Sequence, residues 1–163
     1  MLVLRSDISK KLRSVKLLLI NLNIFSDQAD KFEYGVIWER SADQIKDDIK
    51  SLGVEVVGYS SNKKNSVTTA RKYGLKNILI KGNKKTELLE KFEKNYSFKD
   101  IFLIGSEITD VEIAGLSRFS ASTAGSPLEL KMESDYVSNF SGIDAYQEIG
   151  NLIINAKGPY KQY

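Results

Sequence analysis

The chain has 163 residues, 42% hydrophobic and 28% charged, with a formal net charge of +3. That is the profile of a folded globular protein with one sizeable core, too short for two ordinary domains. Cysteine and histidine are both absent, which excludes disulfides, thiolate nucleophiles, zinc bound by these residues and the commonest general base, and leaves a hard cation held by oxygen as the metal the composition permits.

The basic surplus is small, 24 Lys and Arg against 21 Asp and Glu, and the two signs are interspersed. This argues for a solvated surface and against a nucleic-acid partner. No apolar run reaches the ~20 residues of a membrane span, and Met1 to Lys16 lacks the apolar core and cleavage site of a signal peptide. The expectation is an intracellular, cytoplasmic protein.

In chain order, residues 7 to 14 read as a short helix or lead-in, with Ile8 and Leu12 at i, i+4. Val15 to Ile20 is apolar at five of six positions without alternation, the pattern of a parallel strand covered on both faces, and it runs into Asn21 and Asn23. The segment from Ser26 to Arg40 holds Phe32, Tyr34, Val36, Ile37 and Trp38 around Gly35 and predicts a short aromatic β-hairpin. Ser41 to Leu52 predicts a helix capped by Ser41 and closed by Gly53. Val54 to Tyr59 is a strand ending at Ser60. A helix over Ser66 to Tyr73, a short strand at Ile78 to Ile80 and a charged helix over Lys84 to Asn95 follow. Ile101 to Ile104 is a strand, trailed by Gly105-Ser106-Glu107-Ile108-Thr109-Asp110. Val111 to Leu116 is a short helix, Phe119 to Thr123 strand-like, Leu128 to Met132 a helical turn, Tyr136-Val137 a short strand, and Asp144 to Asn155 the last helix.

Strands alternating with helices predict an α/β fold: three layers, a doubly wound (Rossmann-like) parallel sheet, and right-handed crossovers. The expected organisation is one domain over 1–163, with a core of about 15–155, a lead-in over 1–14 and a tail over 156–163. In such a sheet ligands bind beyond the carboxyl ends of the strands. Three strand ends here carry polar clusters: Asn21 and Asn23, Ser60, and Ser106, Glu107 and Asp110, with Lys84 and Lys85 opening the helix before the last of them.

The order and spacing of these clusters resemble those of the haloacid dehalogenase (HAD-like) superfamily of phosphatases. The resemblance is strongest to the capless branch containing 3-deoxy-D-manno-octulosonate 8-phosphate phosphatase and the C-terminal domain of animal CMP-sialic acid synthetases, and it covers about residues 15 to 155. Val15 to Asn23 matches the first motif, Asp-x-Asp-Gly in the family. Val54 to Ser60 matches the second, and Lys85, or alternatively Lys84, falls at the motif lysine. Leu103 to Asp110 matches the fourth, Gly-Asp-Asp-x-x-Asp. The resemblance implies phosphate binding at Ser60 and Lys85, and metal ligation, of Mg²⁺ in the family, at the positions of Asn21, Asn23, Ser106, Glu107 and Asp110.

The departures fall on the chemistry. Where the family has its nucleophilic Asp and its general acid–base Asp, this chain has Asn21 and Asn23. A neutral amide is a very poor nucleophile and shuttles no proton at pH 7. The Gly after the second Asp is Ile24, the first Asp of the fourth motif is Ser106, and its second is Glu107. Mg²⁺ sheds water reluctantly and asks for one or two carboxylates plus a regular octahedron, a demand this set meets poorly.

The expectation is therefore a catalytically degenerate HAD-type pseudoenzyme. It would act in oligomerisation, as a homotetramer or dimer with Tyr34, Ile37 and Trp38 at the interface, or as support for a partner enzyme of acidic-sugar activation, and need no cofactor. One alternative is a weak or altered Mg²⁺-dependent sugar-phosphate phosphatase. A second is a binder of phosphate or sugar phosphate without turnover.

Overall fold

The computed structural model of the chain describes residues 6–26, 40–60, 63–79 and 95–158. Their helices are α1 (Ser6–Ser14), α2 (Ala42–Ser51), α3 (Lys63–Tyr73), α4 (Val111–Leu116), α5 (Leu128–Glu133) and α6 (Gly142–Lys157). Their strands are β1 (Leu17–Asn21), β2 (Glu55–Ser60), β3 (Lys76–Leu79), β4 (Ile101–Ile104), β5 (Phe119–Ser122) and β6 (Tyr136–Val137). Short 3-10 turns follow β1 (Leu22–Ser26), precede β4 (Phe98–Asp100) and precede α4 (Ile108–Asp110).

The six strands form one sheet in the order β3-β2-β1-β4-β5-β6, and every pairing is parallel. All five residues of β1 are buried, because the strand is central and both of its faces are covered. Leu18 and Ile20 face a core shared with Leu12 of α1, Ile45 and Ile49 of α2, and Tyr146, Ile149 and Ile153 of α6. Leu17 and Leu19 face a second core with Val57, Tyr59, Leu103, Ile113 of α4 and Leu130 of α5. The continuous apolar run thus has the cause expected from sequence: a helix layer on each face.

Ser41 caps α2 as expected: its Oγ accepts from the Gln44 N–H at 3.2 Å, and Gln44 Oε1 accepts the Ser41 N–H at 2.9 Å. Gly53 follows at φ +85°, in the left-handed region that glycine occupies at little cost.

Several limits move. Of the two readings of the first segment, short helix or lead-in, the helix is the one formed: Leu12 is wholly buried and α1 packs on α6. At the other end α6 runs two residues beyond the expected Asn155, and Ala156 is buried. Helix α3 begins at Lys63 rather than Ser66, and β3 begins at Lys76 rather than Ile78, with Ile80 outside the described residues. The expected hairpin with Tyr34, Ile37 and Trp38, and the expected helix from Lys84 with Lys85, fall on residues 27–39 and 80–94, outside the described residues.

Candidate functional site

The sheet order reverses at β1. From β1 the chain moves outward through β2 to β3, and β4 then pairs with the other side of β1. Such a switch point leaves a crevice at the carboxyl ends of the two strands, where open α/β sheets place their ligands. β1 delivers Asn21 and, through the following turn, Asn23 to this place, and β4 delivers the loop from Gly105 to Asp110.

Asp110 is the hub. It is wholly buried, and its two oxygens accept four hydrogen bonds. Oδ2 takes the side-chain amide of Asn21 at 2.8 Å and the backbone amides of Ser106 and Glu107 at 2.8 and 2.9 Å. Oδ1 takes the phenol of Tyr59 at 2.5 Å. Moving a carboxylate out of water costs several kcal/mol, and donors of this number and kind are what offset it. The close approach depends on Gly105: a Cβ there would lie 3.1 Å from Cβ of Asp110 and 3.1 Å from a methyl of Leu130.

Asn21 is held from both ends, since its Oδ1 accepts the backbone N–H of Asn23 at 3.0 Å. This fixes which end of the amide faces Asp110. Asn23, half-buried, donates its own Nδ2 to Oε1 of Glu107. Its backbone carbonyl accepts Ser26 Oγ at 2.7 Å, and Thr109 Oγ1 reaches the other Glu107 oxygen at 3.4 Å. Each asparagine therefore points an amino group at one carboxyl of the β4 loop.

Tyr59 is the residue that sequence reasoning missed as part of the site. It stands opposite Asn21 in the β1–β2 register, and its side chain is buried on the same face of the sheet. Burial, and next the charge of Asp110, push its phenol well above the ordinary tyrosine range. The available signal was a tyrosine near the end of a fully buried strand, where its hydroxyl requires a partner.

The predicted set is thus brought together in part. Asn21, Asn23, Glu107 and Asp110 form one network, and Ser106 joins it through its backbone amide. The Asp110 side chain does not cap α4; its carboxyl accepts amides of the loop that precedes it. Ser60 ends β2 almost wholly buried, and strand alternation puts it on the face opposite Tyr59. Lys85 lies outside the described residues.

No family model matches the chain, and no curated protein matches it by sequence. Solved structures do match. The 3-deoxy-D-manno-octulosonate 8-phosphate phosphatase of Moraxella catarrhalis, solved with magnesium, phosphate and KDO, superposes with a TM-score of 0.77 at 18% identity, over 94% of this chain and 94% of its own. The cobalt-bound deoxy-D-mannose-octulosonate 8-phosphate phosphatase (YrbI) of Haemophilus influenzae gives 0.72 at 17% identity, over 91% and 92%. A Legionella pneumophila protein assigned to the HAD superfamily (subfamily III A) hydrolases gives 0.75 at 14%, over 93% and 88%. The fold is that of the HAD-like hydrolases.

Two of these neighbours carry a divalent metal. A hard cation needs several oxygen lone pairs converging on one point. In this cluster amide hydrogens point at the carboxyl oxygens instead, Asp110 already accepts four donors, and Oδ1 of Asn21 is taken by a backbone N–H. Among the described residues no group of three or more Asp or Glu is placed to hold a metal. The described set does not fit the cation.

Proposed function

We propose that this chain is a catalytically silent HAD phosphatase-like domain. Its work is assembly: self-association, or support of a partner enzyme that handles acidic sugars of the Kdo or sialic-acid type. The observation that carries this reading is the direction of the two asparagine side chains. Both spend their amino groups on Asp110 and Glu107, leaving neither a carboxylate nucleophile nor an acid–base pair at the end of β1. The acidic-sugar class is supported by the neighbours, two of which are phosphatases of 3-deoxy-D-manno-octulosonate 8-phosphate or its near-namesake. An uncharged amide at the attacking position and another at the proton-transfer position each remove a factor of ~10² or more from such a reaction, in losses that overlap.

The test is phosphate release by the purified protein with Mg²⁺, on an aryl phosphate and on several acidic-sugar phosphates, beside an Asn21→Ala control. The expected outcome is no release, or a trace that the control leaves unchanged. Mg²⁺-dependent release that falls in Asn21→Ala would overturn the reading and make the chain an enzyme of altered chemistry.

A further inference from the structure

We infer that the end of the fold opposite the candidate site is a docking face for an anionic lipid bilayer. It is a different surface from the cluster at the carboxyl ends of β1 and β4, and it stands whether or not that cluster is silent.

Topology places the charges. In a parallel sheet with helical crossovers every strand begins, and every helix ends, at one end of the fold. The sequence intersperses its two signs; the fold sorts them. Lys11 and Arg13 lie in the last turn of α1, Lys50 in that of α2, Arg71 and Lys72 in that of α3, Lys131 in that of α5 and Lys157 in that of α6. Lys16, Lys76, Lys99 and Arg118 stand at or just before the starts of β1, β3, β4 and β5. These eleven cations share their end with five acids, Asp48, Glu55, Asp100, Glu133 and Asp135. The other described residues carry five Lys and Arg against nine Asp and Glu.

Helix dipoles account for part of this. A helix C-terminus carries roughly half a negative charge, which a cation in the last turn answers. Six such ends bring about −3, which leaves the face an excess of about +3. The four cations at strand starts belong to no helix. Crowding is felt at Lys157, where burial, and next the charge of Lys16, hold the ammonium below the ordinary lysine range. Stability alone does not gather like charges in this way; an anionic surface relieves their repulsion.

A bilayer suits the arrangement because it asks its cations for closeness and not for a fixed geometry. Six strands at ~4.8 Å spacing spread these side chains over roughly 25 Å, and most of them are exposed. Apolar side chains share the end: Leu116, the last residue of α4, is 47% exposed, and Met132, in the last turn of α5, 78%. Such groups enter the boundary between headgroups and acyl chains. The aromatics there are not free to stack on the bases of a single-stranded nucleic acid. Tyr96 donates to Glu55 at 2.8 Å, and Phe98 packs on the core that holds Ile113. No described helix is long and apolar enough to cross a membrane, so the contact is with its surface. Docked this way, the cluster at the other end of the sheet faces away from the bilayer.

The experiment is cosedimentation of the full chain with unilamellar vesicles. They are made of phosphatidylcholine alone or of phosphatidylcholine with about a third phosphatidylglycerol. The salt is about 0.1 M or about 1 M NaCl, between which the Debye length falls from ~10 to ~3 Å. The native protein is expected to sediment with the anionic vesicles at low salt, and neither at high salt nor with phosphatidylcholine alone. Each Lys near such a surface strengthens binding roughly fivefold, so K16Q/K76Q should weaken it ~30-fold. K63Q/K64Q removes the same charge at the start of α3, at the opposite end, and should change binding by no more than about twofold. The ion pairs lost in K16Q/K76Q, Lys16 to Asp100 at 3.9 Å and Lys76 to Glu55 at 3.2 Å, have exposed lysines and contribute little to folding. Should that variant not fold, R13Q/K99Q takes its place with the same expectation.

Absence of binding to the anionic vesicles at low salt overturns the inference, as does equal binding to phosphatidylcholine alone. Equal weakening by K63Q/K64Q overturns it by making net charge, and not this face, the cause. Tighter binding, charge for charge, to poly-L-glutamate or to duplex DNA than to the vesicles assigns the face to an acidic protein or a nucleic acid and overturns it as well.

Discussion

Asp110 is fully buried, yet it accepts from a phenol, a side-chain amide and two backbone amides. Its phenol partner is the contact a single substitution isolates best. Tyr59→Phe keeps the ring in the core and deletes one donor to a buried carboxylate, a loss of ~1.5–3 kcal/mol, which for a chain of this size lowers the melting temperature by roughly 3–10 °C. The pH dependence has a definite sign. The folded-state pKa of Tyr59 is raised, so its contribution is complete below the unfolded value of about 10 and is lost as pH rises above that value toward the folded one. The stability gap between native protein and Tyr59→Phe, measured by denaturant melts, should be constant from neutral pH to about 9 and narrow above 10. At this scale Asn21, Asn23, Glu107 and Asp110 were legible because polar residues that end apolar strands stand out against their neighbours. Tyr59 was not: an aromatic inside a buried strand is ordinary, and only the register that sets it opposite Asn21 gives its hydroxyl a purpose.

Elements whose limits are marked by strong local chemistry were legible, and those defined by distant packing were not. The strand Ile101–Ile104, the helix Val111–Leu116 and the two-residue strand Tyr136–Val137 fall where the sequence puts them, because each gathers apolar residues between polar or glycine-bearing loops. α1 was undervalued because Ser6–Ser14 holds just Ile8 and Leu12 among polar and charged neighbours. That Leu12 is wholly enclosed is a property of α6, more than a hundred residues later. The start of α3 was missed because Lys63, Lys64 and Asn65 contribute no apolar periodicity. A local prediction belongs here too. Ser41→Ala removes the acceptor for the Gln44 N–H and should lower stability by about 1 kcal/mol, read as a shift in the midpoint of chemical denaturation with no change in its slope.

For the whole molecule, the parallel sheet and its helix layers position one chemical locus, the switch point between β1 and β4. That much followed from alternating strands and helices. The strand order β3-β2-β1-β4-β5-β6 did not, since nothing local in the sequence says on which side of β1 the fourth strand returns. The assembly proposed above is a property of this scale. Sedimentation of the native protein is expected to show a dimer or tetramer, and Trp38→Ala, at a residue expected at the interface, to shift it toward the monomer by a factor of ten or more in dissociation constant, the effect of losing a buried aromatic anchor. A native protein that is monomeric at all accessible concentrations would leave support of a different enzyme as the surviving form of the proposal.

α1 and α6 lie side by side, joined by Lys157 Nζ donating to the carbonyl of Arg13 at 2.7 Å and by the enclosed Leu12. The first described helix to leave the ribosome therefore waits for the last. Until α6 emerges, the face that α1 and α2 share with it lacks one of its covering helices, and the core around Leu18, Ile20, Phe102 and Ile104 stays incomplete. Segments made early would have to remain tethered but uncommitted until α6 is made, at the rate of roughly 5–20 residues per second at which chains are made. A nascent chain stalled before Gly142 should be cut readily by protease at sites that resist in the released protein. The core is closed where its first and last described helices meet, so it is complete only once α6 has been made.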